Sequence, residues 1–563
     1  MKLSTKLSKK LCIVAVLFAG SVFMAAAAAD FMVDSICYNI TSDNEVEVTK
    51  LTSGKYSGVV IIPSTVIQNG TTYQVTRIGE NAFSGCRELT LVDLPEGILS
   101  IGTNGFYDCT ALEAIEYPNS LESIENLAFC NCTNLTTVNI TRNITDIGSS
   151  AFNNCTGLTS ISCSPFNQHF KADGGILYTK DMTMLVLYPK NAVATSFTIP
   201  DGVTALESYA FQNCDNLTDI TFPESVTWLG RDVFWRCDGL VSIDLPDGIT
   251  HMGKGTFDEC VNLVQVHLPA SLDSILDFTF YSCKLQEITI PQNLKHIGQY
   301  AFSEAKELHH VNFEEGSNLL TIDENAFFNC YALESFDMPN SVTSLKANAF
   351  YQCRSLKSIH LSDNLTDLGK TIFWYCSSLT ELKVPNGVPR ILNSIVHYCT
   401  ALRTLRIGDR YGIPGTTTFE SSSISADSIV CLELGANVAV LGNYAMWLNP
   451  DLKVFICWAP IPPTCTNNSF GVYPSATLYV PKASLEAYST AAKWKDFSRI
   501  VPIDDLGDVN GDQAVNMDDL TMLINVLLGS DASLNRPLAD TNLDGDISMD
   551  DLTAHINILL AGD

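Results

Sequence analysis

The pentapeptide Ala82-Phe83-Ser84-Gly85-Cys86 decides the fold, because its pattern Ala-Phe-x-x-Cys returns about every 23 residues along a chain of 563 residues. A unit of this length cannot enclose a hydrophobic core by itself, so adjacent copies must stack and share one continuous interior. The sequence therefore predicts a mainly β solenoid. The repeated phenylalanines are Phe83, Phe106, Phe129, Phe152, Phe211, Phe234, Phe257, Phe280, Phe302, Phe327, Phe350 and Phe373.

Two further segments complete each unit: Leu-x-x-Ile-x-Leu-Pro, as in Leu240–Pro246, and Leu-x-x-Ile-Gly. One gap between motifs is longer than the others, and its excess lies near residues 164–200. Two apolar runs flank Lys180-Asp181 there and predict a β-hairpin that replaces part of one coil. After Phe373 the motif decays but keeps its phase. The residues that we expect at the phenylalanine position in this last part are Val396, Phe419, Met446 and Phe470.

Cysteine recurs three residues after the repeated phenylalanine or its equivalent, and this position holds 12 of the 19 cysteines. An even number of cysteines in a secreted protein suggests disulfides. However, residues at one point of successive coils form a ladder, where buried cysteine acts as a small hydrophobic side chain. Ala305 fills this position in one coil, which favours packing over pairing. We expect a ladder of buried thiols, whereas Cys457 and Cys465 are candidates for a disulfide. The ladder residues are Cys86, Cys109, Cys132, Cys155, Cys214, Cys237, Cys260, Cys283, Cys330, Cys353, Cys376 and Cys399.

Residues 1–29 have the composition of a secretory signal peptide, because lysines precede an apolar run and small residues lead to Asp30. We expect a secreted or cell-surface bacterial protein with no membrane span once the signal is removed. Removal deletes four lysines and no acidic residue, which changes the net charge from −29 to −33. This charge disfavours nucleic acids and anionic membranes as partners, since both select basic surfaces.

We divide the rest of the chain into four parts. Residues 30–75 contain short strand patterns and an Asn69-Gly70 turn signal, and they are predicted to form an N-terminal β cap over the first coil. Residues 76–480 form the solenoid, and residues 481–503 a C-terminal cap with a short amphipathic helix and a linker. Residues 504–563 differ in composition, with 13 Asp and one Arg as their charged residues.

With the signature Ile-Gly-x-x-Ala-Phe-x-x-Cys, residues 60–500 resemble the BspA-type leucine-rich repeat proteins of bacterial surfaces. The resemblance implies a leucine-rich repeat solenoid and extracellular binding, often described as adhesion, but it names no ligand. Repeats and caps occupy nearly all of residues 30–503, which leaves no room for a catalytic domain. We therefore expect that the protein is not an enzyme.

Two segments near the C-terminus, residues 508–519 and 540–551, share a pattern of oxygen-bearing residues. Loop positions 1, 3, 5, 9 and 12, with a backbone carbonyl at position 7, supply the ligands that a seven-coordinate Ca²⁺ requires. Clustered carboxylates repel one another, so we expect calcium binding and folding to be coupled. The predicted calcium ligands are Asp508, Asn510, Asp512, Ala514, Asn516 and Asp519 in the first loop and Asp540, Asn542, Asp544, Asp546, Ser548 and Asp551 in the second.

Each loop is followed by a helical pattern, and the two halves match position by position, so residues 504–563 resemble a type I dockerin. The resemblance implies a small all-α calcium-binding domain with two Ca²⁺ sites and a cohesin-type protein partner. It also implies that loop positions 10 and 11 contact this partner. Gln513 replaces the usual glycine at position 6, so we expect a weaker first site. The partner-binding residues carried over from the family are Met517, Asp518, Met549 and Asp550.

Aromatic residues often follow the repeated phenylalanine directly. If the phenylalanine points inward, its neighbour should point outward, and exposed aromatic side chains mark binding sites and can stack on sugars. Alternatively, these side chains only cover the turn of the adjacent coil. This candidate ligand track consists of Tyr107, Trp235, Tyr281, Phe328, Tyr351 and Trp374.

The sequence thus predicts a secreted, non-catalytic binding or adhesion protein. Its repeat surface would recognise a protein or glycan, and its tail would bind a cohesin-type partner in a calcium-dependent manner. Two alternatives stay open. The protein is a stand-alone adhesin whose calcium module is merely structural, or an accessory component with polysaccharide-degrading activity.

Overall fold

The structure is a computed structural model. It describes residues 29–425, 428–446, 451–466, 468–470, 476–503, 509, 517–528, 539, 541 and 547–561. Apart from its last residue, the predicted signal peptide lies outside these ranges.

The Leu-x-x-Ile-x-Leu segments form one long side of the solenoid, which we call the Leu-Ile wall. Every coil runs in the same direction, so equivalent strands of adjacent coils pair in parallel: Ser242 lies opposite Gln265, and Ile243 opposite Val266. The strands of this wall are Gly58–Ile61, Leu89–Asp93, Thr137–Ile140, Ser160–Cys163, Ser196–Thr198, Asp219–Thr221, Ser242–Asp244, Gln265–His267, Glu287–Ile290, His310–Phe313, Ser335–Asp337, Ser358–His360, Glu381–Val384, Thr404–Ile407, Cys431–Leu434, Val454–Cys457, Thr477–Val480 and Arg499–Pro502.

The Leu-x-x-Ile-Gly segments form the second side, the Ile-Gly wall. The glycine after each strand lies against the preceding coil: a Cβ on Gly253 would be 2.4 Å from the carbonyl oxygen of Gly230, which explains why the motif requires glycine. The strands are Thr71–Ile78, Ser100–Ile101, Ser123–Ile124, Asp146–Ile147, Met184–Leu187, Ala205–Leu206, Trp228–Leu229, His251–Met252, Ser274–Ile275, His296–Ile297, Thr321–Ile322, Ser344–Leu345, Asp367–Leu368, Arg390–Ile391, Thr417–Phe419, Val438–Leu441 and Thr464–Cys465.

The N-terminal segment extends the Ile-Gly wall. The strand Glu45–Thr49 pairs in parallel with Thr71–Ile78, and the turn before the latter has left-handed residues at Asn69 (φ 51°) and Gly70 (φ 83°). Both walls therefore begin inside residues 30–75, because Gly58–Ile61 already pairs with the next strand of the Leu-Ile wall. The other strands of the cap are Phe31–Val33, Ile36–Ser42 and Thr65–Gln68.

The insertion near residues 164–200 contains an antiparallel hairpin between Ile176–Thr179 and Met184–Leu187, with Phe170–Asp173 as a third strand. Its last strand also pairs in parallel with Ala205–Leu206 of the Ile-Gly wall. The insertion is thus built into the wall. The first sheet of the wall ends before it, at Asp146–Ile147, and the hydrophobic core divides into two clusters at this coil.

The Ala-Phe-x-x-Cys turns close each coil along the third edge, the Phe-Cys corner. Within the two uninterrupted runs of the repeat, the buried phenylalanine rings stack with centroids 4.9–5.9 Å apart. In the coil with the insertion, Tyr188 occupies this position and stacks on Phe211 at 5.0 Å. Sequence analysis missed Tyr188 because the Ala-Phe-x-x-Cys pattern is absent there.

The cysteine ladder is a ladder of free thiols, all buried. In ten coils the thiol donates a hydrogen bond to the phenylalanine carbonyl of the preceding coil, at Sγ···O distances of 2.9–3.3 Å. Cysteine therefore supplies both a small apolar volume and a donor. Burial raises the pKa of Cys86 to about 11 and that of Cys399 to about 12. Cys457 and Cys465 are also free thiols and do not form the disulfide considered above.

One assignment of the repeat phase is wrong. Ile424, and not Phe419, pairs with Val396 at the Phe-Cys corner, while Phe419 pairs with Ile391 in the Ile-Gly wall. The intervening coil is longer because of an exposed loop around Tyr411, and this displaces the position. The short strands of the corner here are Phe373–Trp374, Val396–His397 and Ile424–Ser425.

The C-terminal end of the array is closed by α1 (Leu485–Thr490), which places Tyr488 in the core together with Trp494. Two 3₁₀ turns, Lys482–Ser484 and Trp494–Asp496, flank this helix. The segment interpreted as a cap and linker also contains Arg499–Pro502, the last strand of the Leu-Ile wall.

Two described helices follow: α2 (Met517–Leu527) and α3 (Met549–Ala561). They share a small apolar cluster of their own, separate from the solenoid core. Its members are Val509, Met522, Leu523, Leu527, Ala539, Ile547 and Leu552.

Candidate functional site

The outer surface of the Phe-Cys corner carries the candidate ligand track. All six of its residues are half-buried, so part of each ring covers the neighbouring coils. The six do not form one continuous row, because Asp258 and Ser303 occupy the same position in intervening coils. Trp235 stacks instead with the guanidinium of Arg236, 5.1 Å from its ring centroid.

Three members of the track do form a continuous stack. The ring centroids of Phe328 and Tyr351 are 4.9 Å apart, and those of Tyr351 and Trp374 are 6.0 Å apart. Two tyrosines that sequence analysis missed extend the stack: Tyr375 and Tyr398 lie 4.6 Å apart and nearly parallel. We call the whole group the aromatic patch; it consists of Phe328, Tyr351, Trp374, Tyr375, His397 and Tyr398.

The backbone at the two new tyrosines has the left-handed conformation that this position also has in other coils of the repeat. Tyr375 (φ 61°) and Tyr398 (φ 54°) have left-handed conformations, and the equivalent residues of other coils include Asn131, Asn154 and Asn213. Asparagine tolerates this conformation, whereas another residue pays about 1–2 kcal/mol. The side chains are 38% and 50% exposed, so they gain little from burial. Because Arg236, Glu259 and Gln352 have the same conformation in other coils, the exposed aromatic rings and not the backbone distinguish the two tyrosines. The signal in the sequence was a tyrosine at a position that holds glycine or a polar residue in the preceding coils.

The second candidate site is the C-terminal module with the two predicted calcium loops. Of its twelve predicted ligands, Asp519, Ser548 and Asp551 are described and the other nine lie outside the described residues. Asp519 and Asp551, at position 12 of the two loops, are fully buried at the starts of α2 and α3. In the second loop, the Asp551 carboxylate accepts a hydrogen bond from the backbone N–H of Ser548 at 2.7 Å.

These positions fit a divalent cation. A carboxylate withdrawn from water is costly unless a positive charge compensates it. Arg536 is the only basic residue between Asp508 and Asp551. The loops therefore combine buried acidic groups with hard oxygen donors, which suits Ca²⁺. Ile547, at position 8 of the second predicted loop, packs against the apolar cluster.

The predicted recognition residues lie beside these carboxylates. Asp518, Met549 and Asp550 are exposed, and the Met549 side chain is 63% exposed. The backbone of Met517 starts α2, but its side chain is not among those described. In each helix, therefore, the first turn buries position 12 and leaves described residues of positions 10 and 11 open to a partner.

The two units define a leucine-rich repeat solenoid followed by a small helical module with two predicted calcium loops. Six copies of the family described as "BspA type Leucine rich repeat region" match this chain. They cover residues 60–173, 190–309 and 296–426, which is more than half of the chain. The chain belongs to the BspA-type leucine-rich repeat family. Residues 506–560 match the "Dockerin type I domain", so the chain also carries a dockerin. Both are binding modules.

Several solved structures are similar to the solenoid. A leucine-rich repeat protein from Bacteroides ovatus is 24% identical and covers 84% of this chain and 100% of its own, with a TM-score of 0.43. A leucine-rich cell surface protein from Faecalibacterium prausnitzii is 23% identical, with coverages of 67% and 94% and a TM-score of 0.39. The pneumococcal vaccine antigen PcpA is 15% identical, with coverages of 84% and 99% and a TM-score of 0.35.

A comparison with functionally curated proteins gives no match. Within the described part of the chain, no helix is both long and apolar enough to span a bilayer.

Proposed function

We propose that the protein is a secreted, two-ended binding protein. The dockerin end attaches it, with calcium, to a cohesin-type domain, and the solenoid presents a recognition surface. The observation that carries the first half is the arrangement at the starts of α2 and α3. There a buried acidic residue suited to calcium adjoins exposed residues at the positions where dockerins contact their partner.

The recognition surface on the solenoid is the aromatic patch. Tyrosine and tryptophan dominate binding hot spots because they offer a large apolar surface with a polar tip. Sugar stacking needs an open ring face, but Tyr375 and Tyr398 cover each other at 4.6 Å, and Tyr351 lies between Phe328 and Trp374. The exposed ring edges and hydroxyls therefore favour a protein ligand over a glycan.

The calcium-dependent attachment is tested with the full mature chain as bait for secreted and surface proteins of the source organism. We expect capture of a cohesin-bearing protein in calcium and its release by a chelator. Asp519→Ala/Asp551→Ala should lose both calcium and the partner. Asp518→Ala/Asp550→Ala in the same helices should keep calcium but weaken capture. If calcium binds and no cohesin-bearing protein is retained, the tail is a structural module and the attachment is refuted.

The aromatic patch is tested with Trp374→Ala/Tyr398→Ala, assayed against surface proteins and a glycan array. We expect binding to a protein ligand to fall at least about tenfold, the effect of losing about 1.4 kcal/mol. Tyr411→Ala is the matched control, because Tyr411 is 75% exposed but lies on a loop away from the patch. Unchanged binding in the double variant would remove the patch as the site, and loss of glycan binding alone would favour the glycan.

A further inference from the structure

The outer face of the Leu-Ile wall changes character at its C-terminal end. In the middle of the array this face is polar, as at Glu287 and Thr289 or at Ser358 and His360, all exposed or partly exposed. In the last four strands it is apolar. We call this surface the C-terminal face; it consists of Cys431, Val454, Ile456, Tyr479, Val501 and Ile503.

The C-terminal face is buried, although it lies on the outside of the wall. Val454 is 2% exposed, Ile456 4% and Tyr479 1%. Their strand neighbours Phe455 and Leu478 point the other way, into the core. Among the described residues, Trp458 at the rim is the one further hydrophobic side chain that packs against this face. No described apolar side chain of α1 belongs to this face, and Tyr488 of α1 packs in the solenoid core.

The position of the chain end makes the dockerin the candidate to cover the face. Ile503 is itself part of the face, and it directly follows the last wall strand, Arg499–Pro502. The next described residue, Val509, already belongs to the apolar cluster of the dockerin. Six residue steps span at most about 20 Å. The dockerin therefore begins beside the C-terminal face and cannot move far from it.

We infer that the dockerin, residues 504–563, seats against the C-terminal face and is fixed to the end of the solenoid. A tether of polar residues would leave the module free to rotate, whereas burial of six apolar side chains holds it in one orientation. The face and the calcium loops are then coupled. Calcium that orders the module then also protects the last wall strands from hydrogen exchange. This inference does not depend on a cohesin partner.

Hydrogen–deuterium exchange of the full mature chain, with calcium and with chelator, tests this coupling. If the dockerin covers the face, chelation should speed exchange about tenfold or more in Val454–Cys457 and Arg499–Pro502. The strand Glu381–Val384, in the same wall but with an exposed outer face, should be unchanged. If each of the three strands exchanges at the same rate with calcium as with chelator, the inference is overturned.

A variant gives an independent test. Ile456→Asp places a charge in the face and should release the module, which increases the maximum dimension measured by small-angle scattering in calcium. Val241→Asp is the matched control, because Val241 lies beside the same wall but is 52% exposed. Light scattering distinguishes the competing occupant. If Ile456→Asp instead converts a dimer to a monomer of unchanged shape, a second copy of the chain covers the face and the inference is wrong.

Discussion

Replacing one phenylalanine of the ladder should uncouple the coils on both sides of it. Phe257 is fully buried and stacks on Phe234 at 5.3 Å and on Phe280 at 5.5 Å. Phe→Ala in a core costs about 3–5 kcal/mol, and each aromatic pair contributes about 0.5–1.5 kcal/mol beyond burial. Since Phe257→Ala loses two pairs, we expect a loss near the upper end, about 5 kcal/mol.

The assay must report locally, because long repeat arrays do not unfold in two states. Native-state hydrogen exchange should show faster exchange in the coils of Phe234, Phe257 and Phe280, and little change in the coils near Phe106. Phe278→Ala is the control, since Phe278 is in the same region but 38% exposed. If Phe257→Ala accelerates exchange equally along the whole array, or nowhere, the nearest-neighbour account of the ladder is refuted.

Three further predictions concern buried ionisable groups. Burial raises the pKa of Cys86 to about 11 and of Cys399 to about 12; iodoacetamide at pH 8 should therefore leave the ladder thiols unlabelled until urea unfolds the chain, as counted by mass spectrometry. Burial, with Glu259 and Asp232 nearby, raises the pKa of Asp258 to about 8. The native carboxyl thus holds its proton more tightly than the unfolded one, and stability falls as pH rises from about 4 through about 8. In urea titrations, the free energy of unfolding of Asp258→Asn should exceed that of the parent by more at pH 9 than at pH 5. An equal difference at the two pH values would contradict this. The Lys190 amine, buried, donates to the Tyr209 carbonyl at 2.8 Å. Lys190→Met should destabilise the insertion coil by about 1–3 kcal/mol, seen as faster exchange over residues 176–214.

The solenoid could be predicted from the sequence because its period is short and its positions are chemically distinct. Phenylalanine, cysteine and glycine each occupy a place where the neighbouring coil leaves a fixed volume, so the pattern recurs with the packing. The thiol ladder followed from the same periodicity. Periodicity could not predict that the cysteine thiol also donates a hydrogen bond to the phenylalanine carbonyl of the preceding coil. Such a bond between coils does not affect the spacing of residues along the chain.

The prediction failed where insertions shifted the register. Phe419 kept the spacing of 23 residues but belongs to the Ile-Gly wall, because the loop around Tyr411 lengthens that coil and moves the corner position to Ile424. Similarly, Tyr188 continues the ring stack without the motif. In both coils the parallel pairing of the walls fixes the register, and this pairing involves residues distant in sequence.

The candidate sites were only partly predictable for a related reason. The calcium loops are local, so spacing along the chain was enough to propose their ligands, although nine of the twelve lie outside the described residues. The aromatic patch is not local. Tyr375 and Tyr398 lie two residues after the corner position in adjacent coils, and only stacking brings them together.

The geometry of the array sets the distance between the aromatic patch and the C-terminal end of the solenoid. Adjacent coils are spaced by about 4.8 Å, so the roughly sixteen steps between Phe83 and Phe470 span about 77 Å. Trp374 is about four steps from the C-terminal end, or about 19 Å. Because the intervening coils share one hydrophobic core, that distance cannot flex as a linker would. A ligand held at the aromatic patch would therefore stay close to the end that carries the dockerin, while the N-terminal coils project beyond it.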